Sequence, residues 1–175
     1  MKVAFQNRAR EMLALFPRTE GQCVGLCACI SAKLDEDRIP HSVALGSLSC
    51  NGIKAFQYVK AFPSKPSGPI VWDGHAWIEF SHGYIGEPSL LRTARVLPDT
   101  SNIKQHLQSL GIIGKGAILL NEQAKQKMGL KYTRKAILRP SLIASLAAGL
   151  ISINDSSKLG QFDKMTEVLL SKRDR

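Results

Sequence analysis

Residues 74–87 read Gly-His-Ala-Trp-Ile-Glu-Phe-Ser-His-Gly-Tyr-Ile-Gly-Glu. Their alternation predicts a strand that starts at His75, with His75, Trp77 and Glu79 on one face and apolar residues on the other. Residues 83–86 then predict a short return strand, and Glu87 follows it. If the two strands pair as a hairpin, Glu87 lies beyond the His75 end of the first strand, close to the imidazole. The stretch therefore predicts a histidine held on an antiparallel sheet beside a carboxylate.

The segments before this stretch predict helices followed by a second hairpin. Helical periodicity marks residues 3–16, which Pro17 ends, and residues 22–34. Residues 42–59 predict two strands around Asn51-Gly52, a pair that is typical of tight hairpin turns. This order of helices and then strands indicates an α+β fold.

After Pro98 the pattern is helical again. The predicted helices cover residues 101–110, 116–128, 140–153 and 158–172. We therefore expect a core of N-terminal helices packed on an antiparallel sheet over residues 1–99, and a basic helical extension over residues 100–175. Four apolar side chains are expected to pack the extension onto the core: Leu142, Ile143, Leu146 and Leu150.

Cys23 is the candidate nucleophile. It follows Gly21-Gln22 at the start of the second predicted helix. Free backbone N–H groups and the helix dipole at such a position stabilise a thiolate, and they can bind an oxyanion. The apolar face below Cys23 consists of Leu26, Cys27, Ile30 and Leu34. A thiol in this place lies at the edge of the core and faces a cleft.

A thiol nucleophile needs a base, and the base needs an acceptor that fixes its tautomer. His75 is the candidate base and Glu87 the candidate acceptor, because the return strand brings the carboxylate to the ring. Asp73 and Glu79 are alternative acceptors. Further candidates for oxyanion or substrate contacts are Gln22, Trp77 and Asp73.

Four fragments occur in one order along the chain: Gly21-Gln22-Cys23, Arg38-Ile39-Pro40, Gly74-His75-Ala76-Trp77-Ile78-Glu79 and Glu87-Pro88-Ser89. Together they resemble the transglutaminase-like (papain-like) superfamily of cysteine enzymes. In that family a cysteine opens a helix, an Ile-Pro turn leads into the first strand, His-Ala-Trp-x-Glu carries the base, and Asp-Pro-Thr carries the acid. The chain departs from the pattern at Val24, where transglutaminases carry tryptophan, and at Glu87, which stands for aspartate.

The resemblance implies an enzyme that cleaves or transfers an amide or thioester acyl group through an acyl-Cys23 intermediate. It implies a protein or peptide substrate and needs no metal or organic cofactor. Hydrolysis, by a protease or a deamidase, is favoured over acyl transfer because no acceptor pocket is evident in the sequence.

The positive charge of the chain lies mainly in its C-terminal part. Residues 1–99 hold 11 Lys/Arg and 9 Asp/Glu, whereas residues 100–175 hold 13 and 5. One run without acidic residues contains Lys125, Lys127, Lys131, Arg134, Lys135 and Arg139. It is either a solvated helix face or a surface for an acidic partner. The alternative function is therefore a catalytically inactive fold that acts as a basic protein- or nucleic-acid-binding module.

Cysteine use and hydropathy indicate the compartment. Four cysteines are too few for a disulfide framework in 175 residues. Cys23, Cys27 and Cys29 with His41 or Cys50 allow zinc as a minor alternative, although the paired spacing of zinc sites is missing. No signal-peptide core and no apolar stretch of about 20 residues occurs. We expect a cytoplasmic protein with no membrane span, or one exported by a route that needs no signal peptide.

Overall fold

The computed structural model describes residues 1–16, 22–59, 74–112 and 114–154. Its elements are α1 (Lys2–Leu15), α2 (Cys23–Glu36), β1 (Ser42–Cys50), β2 (Ile53–Phe56), β3 (His75–Glu79), β4 (Ile85–Glu87), α3 (Leu90–Val96), α4 (Asn102–Ser109), β5 (Ile118–Leu120), α5 (Glu122–Lys127), β6 (Leu130–Ile137) and α6 (Pro140–Asn154). A 3₁₀ turn, Ser81–Gly83, joins β3 to β4. The α+β class is confirmed. In the described ranges, no helix combines the length and the hydropathy that a membrane crossing needs.

All six described strands belong to one antiparallel sheet, in which β1 is the central strand. β6 pairs with β1 from Ala44 to Cys50, along one edge. The other edge of β1 pairs first with β3 and then with β2. The predicted hairpin turn is confirmed at Asn51 and Gly52, whose φ angles of 49° and 79° are the positive values that such a turn requires.

Two hydrophobic clusters cover the two faces of the sheet. Alternate strand residues divide between them, because successive side chains of a strand point to opposite faces. The first cluster joins the strands to α1, α2 and α6 through Val43, Leu45, Ala76 and Ile78. The second joins them to α3 and α4 through Ala44, Leu48, Trp77 and Ile85. The sheet therefore lies between two helical layers.

α2 is buried on nearly all sides, because the sheet, α1 and α6 surround it. Its predicted apolar face is buried as expected. Gly25 lets α6 approach closely, since a β-carbon there would lie 3.0 Å from Cβ of Leu150. The predicted contacts of α6 with the core are confirmed: Ile143 and Leu150 are buried, and Leu142 and Leu146 pack against the same cluster. The helix that carries Cys23 is thus held firmly.

The prediction of a purely helical segment after residue 100 is wrong. Residues 118–120 form β5 where a helix over 116–128 was expected, and β6 follows at 130–137. Leu120 and Leu130 are buried in the sheet, and pairing with β6 satisfies the backbone groups along one edge of β1. Strands from both sides of residue 100 therefore share one sheet. The predicted helix over 158–172 lies outside the described residues.

The buried Arg92 side chain, on α3, forms hydrogen bonds with the C-terminal end of α1. Its guanidinium donates to the carbonyl oxygens of Phe16 at 2.6 Å, Leu13 at 2.7 Å and Lys115 at 3.0 Å. Cationic groups are favoured at the C-terminal end of a helix, where the carbonyl groups lack intrahelical donors. This contact fixes the C-terminal end of α1.

Candidate active site

His75 is the first residue of β3 and is 1% exposed. It pairs with Gly46 of β1 in the sheet register. Its ring stacks on Phe56, with the centroids 4.9 Å apart and the planes at 14°. Trp77 lies on the same face of β3, and the centroid of its ring is 6.2 Å from that of His75. The imidazole is therefore held by aromatic side chains on a rigid strand.

Glu87 ends β4 and is fully buried beside His75. Nε2 of His75 donates to Oε2 of Glu87 at 2.6 Å, so the contact predicted from the hairpin is present. The other oxygen, Oε1, accepts from the backbone N–H groups of Ser89 and Leu90 and from the Ser89 hydroxyl, at 3.0–3.3 Å. Because Glu87 occupies Nε2, Nδ1 is the ring nitrogen left for Cys23.

Cys23 opens α2, as the sequence predicts. The first backbone bond at this end runs from Leu26 N–H to the Gln22 carbonyl, at 3.0 Å. The N–H groups of Cys23, Val24 and Gly25 therefore have no acceptor within the helix. No side-chain bond caps the helix at Gln22. Backbone N–H groups at the start of a helix are the kind of donor that an oxyanion on a Cys23 adduct would need.

The contacts of His75 raise its pKa to about 10. Burial alone would lower the pKa, and it is the largest single influence. The charge of Glu87 and a hydrogen bond with Cys23 outweigh it. The same bond shows that the thiol and the imidazole are in contact, so the described structure brings the three predicted residues together.

The other three cysteines are less accessible than Cys23, which is 8% exposed. Cys27 and Cys29 are fully buried and Cys50 is 2% exposed. Burial raises the pKa of all three thiols, and the charge of Glu87 raises that of Cys27 further. Cys29 donates to the Ala147 carbonyl at 3.8 Å. Of the side chains described, no group of three or more His, Cys, Asp and Glu is arranged to hold a metal ion.

Glu79, one of the two alternative acceptors, is engaged elsewhere. Its Oε1 accepts from the Trp77 indole at 3.1 Å, and its Oε2 accepts from Arg134 at 2.6 Å. Asp73, the other alternative, lies outside the described residues, as does Gly21. Trp77 is fully buried, which places it as support for the imidazole ring.

The six basic residues do not form one outward helix face, so that expectation is wrong. Three lie on β6, where a bulge shifts the register at Lys135. Lys125 pairs with Glu122 and Arg134 with Glu79, both at 2.6 Å. An acidic partner for the remaining members of the run stays a prediction.

Tyr132 belongs to the site although the sequence did not point to it. Its hydroxyl donates to Oε2 of Glu87 at 3.2 Å. The alternation of residues 130–137 was the signal for the strand that carries it.

Comparisons of the chain with protein-family models, with curated proteins and with solved structures give no match.

Proposed function

We propose that the protein is a cysteine hydrolase of the transglutaminase-like kind, which cleaves an amide or thioester bond in a protein or peptide through an acyl-Cys23 intermediate. One observation carries this proposal. A buried His75–Glu87 pair lies against a thiol at the start of a helix, and that thiol is the most exposed of the four.

The reaction follows from the positions of these groups. Nδ1 of His75 takes the proton of the Cys23 thiol, and the thiolate attacks the carbonyl carbon to form a C–S bond. The backbone N–H groups at the start of α2 stabilise the oxyanion. The imidazolium gives its proton to the leaving amine or thiol as the C–N or C–S bond of the substrate breaks. Water then attacks the acyl group with His75 as base, which frees the carboxylic acid and restores Cys23.

Glu87 keeps the imidazole in the tautomer that this sequence needs. Because Nε2–H donates to Glu87, Nδ1 is unprotonated in the neutral ring and can accept a proton. The carboxylate also stabilises the imidazolium once the proton has moved. A cytoplasm, where thiols stay reduced, suits a protein with four free cysteines.

Trapping the intermediate tests the proposal. The protein is incubated with a mixture of fluorogenic peptide amides and a mixture of peptide thioesters, quenched in acid, and digested for mass spectrometry. We expect an acyl adduct on the peptide that contains Cys23, and its formation should slow about 10²- to 10⁴-fold in His75→Ala.

Cys27→Ala is the matched control, since it removes a buried thiol one helical turn away. This variant should keep the adduct, and Cys23→Ala should lose it. Turnover that survives in Cys23→Ala, or no adduct with either class of substrate, contradicts the proposal.

A further inference from the structure

The carboxylate of Glu87 is shared between two groups of donors. Oε1 is taken by Ser89 and Leu90, at the turn into α3. Oε2 accepts two side-chain donors, His75 at 2.6 Å and Tyr132 at 3.2 Å. The Tyr132 hydroxyl and the His75 ring therefore compete for charge on the same oxygen atom.

The fold holds Tyr132 in this place. It pairs with Leu48 of β1 in the register of β6. Its ring packs edge to face on Trp77, with centroids 5.1 Å apart, and lies 6.3 Å from the ring of His75. The tyrosine is thus fixed by the sheet and by the aromatic side chain that also supports the imidazole.

We propose that Tyr132 is a positioning residue of the active site, which holds Glu87 and through it sets the proton affinity of His75. The inference rests on the proposed function for its role in a reaction, but the effect on His75 is a property of the folded protein alone. It assigns a role to β6, a strand from the part of the chain that was expected to be a helical appendage.

The Tyr132 hydroxyl acts as a hydrogen-bond donor at neutral pH and well above it. Burial, followed by the charge of Glu87, raises the pKa of Tyr132 well above its ordinary value, so the group stays protonated. A donor to a carboxylate stabilises its negative charge. When that donor is removed, Glu87 attracts the His75 proton more strongly, and the proton affinity of the imidazole rises.

Tyr132→Phe tests this with the loss of one oxygen atom and no loss of ring contacts. The matched control is Tyr84→Phe, because Tyr84 lies beside Lys2, with Nζ 4.6 Å from its ring centroid, and makes none of the contacts of the site. The first readout is the pH titration of His75, followed by NMR of ¹³C-labelled histidine. We expect the titration to move up by about 0.5–1 unit in Tyr132→Phe, and not to move in Tyr84→Phe.

The second readout is the rate of Cys23 alkylation by iodoacetamide at several pH values. The step in its pH profile that follows deprotonation of His75 should move up in Tyr132→Phe together with the NMR titration, while the rate near neutral pH, where the imidazolium is already formed, should change less than about twofold. In a Glu87→Gln background, Tyr132→Phe should have no further effect on either readout, because the shared acceptor is gone.

An unmoved His75 titration in folded Tyr132→Phe overturns the inference, as does an equal shift in Tyr84→Phe. A different result would contradict the proposed function. If wild-type Cys23 is no more reactive than the other thiols, the site is not catalytic, yet the NMR titration still decides whether Tyr132 acts on His75.

Discussion

Oε2 of Glu87 lies 2.6 Å from Nε2 of His75, and the two residues are 0% and 1% exposed. A hydrogen-bonded ionisable pair out of reach of water is costly to break, because the remaining partner keeps its charge without compensation. Five donors from four residues satisfy the carboxylate: His75, Tyr132, Ser89 and Leu90. The carboxylate is therefore held firmly in place, and the direction of the effect of a single substitution at the site can be predicted.

Glu87→Gln should reverse the tautomer of His75. The glutamine oxygen can keep the bonds to Ser89 and Leu90, so its amide N–H₂ turns towards Nε2 of His75 and needs an acceptor there. The ring proton then moves to Nδ1, which can no longer take the thiol proton. We expect turnover to fall by about 10²- to 10⁴-fold, measured on the substrate class that acylates Cys23.

Glu79→Gln is the control for this change, since Glu79 lies on the same strand as His75 but accepts hydrogen bonds from Trp77 and Arg134 instead. It should change the rate less than about threefold, because no reacting group depends on it. Equal losses in the two variants would show that the charge of the region matters and that the His75–Glu87 bond does not.

His75 should make the stability of the protein depend on pH. Its folded-state pKa of about 10 lies above the unfolded value of about 6.5, so the native state binds more protons between these limits. The stabilising contribution is complete below the unfolded pKa and is lost as the pH rises through the folded value. Urea denaturation under reducing conditions measures this contribution. The free energy of unfolding of wild type should fall relative to His75→Gln from about pH 7 to about pH 10. A constant difference contradicts the raised pKa.

Arg92→Met should destabilise the protein by about 3 kcal/mol, because three carbonyl groups lose a charged donor in a buried place. Arg95→Met, on the exposed side of the same helix, should stay within about 0.5 kcal/mol. The free energies of unfolding from urea titrations give the comparison. A loss of similar size in both variants would mean that the buried contacts of Arg92 contribute little.

Two glycine substitutions should have opposite effects on stability. In Gly46→Ala the new β-carbon would lie 2.1 Å from the Thr133 carbonyl oxygen and 2.7 Å from Cη2 of Trp77, so β6 must move. We expect a loss of about 3 kcal/mol and a weaker Tyr132–Glu87 contact. In Gly149→Ala the β-carbon meets nothing within 4 Å, and the helix should gain about 0.5–1 kcal/mol. Thermal unfolding of both variants checks the signs, and a stable Gly46→Ala contradicts the register of β1 with β6.

The sequence predicted the elements whose signals are local. The alternation from His75, the Asn51-Gly52 turn and the apolar face below Cys23 each appear in the structure where expected. The contact of His75 with Glu87 could also be predicted, because a short hairpin leaves few places for the carboxylate.

The contribution of residues 118–137 could not be predicted in the same way. β5 is three residues long, which is too short for a periodic signal. The alternation in β6 is weak because basic residues interrupt it, and its strand form depends on pairing with residues of β1 that lie 80 to 93 positions earlier in the chain. Tyr132 was missed for the same reason, since only the sheet brings it to Glu87.

Site-resolved alkylation tests most directly whether Cys23 is an activated nucleophile. Limiting iodoacetamide at about pH 6.5 is followed by digestion and mass spectrometry of the peptides with Cys23, Cys27, Cys29 and Cys50. We predict that Cys23 is labelled at least about tenfold faster than the other three, and that His75→Ala removes most of this advantage, because the imidazolium stabilises the thiolate. Equal labelling of all four thiols in the folded protein, or a Cys23 rate that His75→Ala leaves unchanged, would contradict the account.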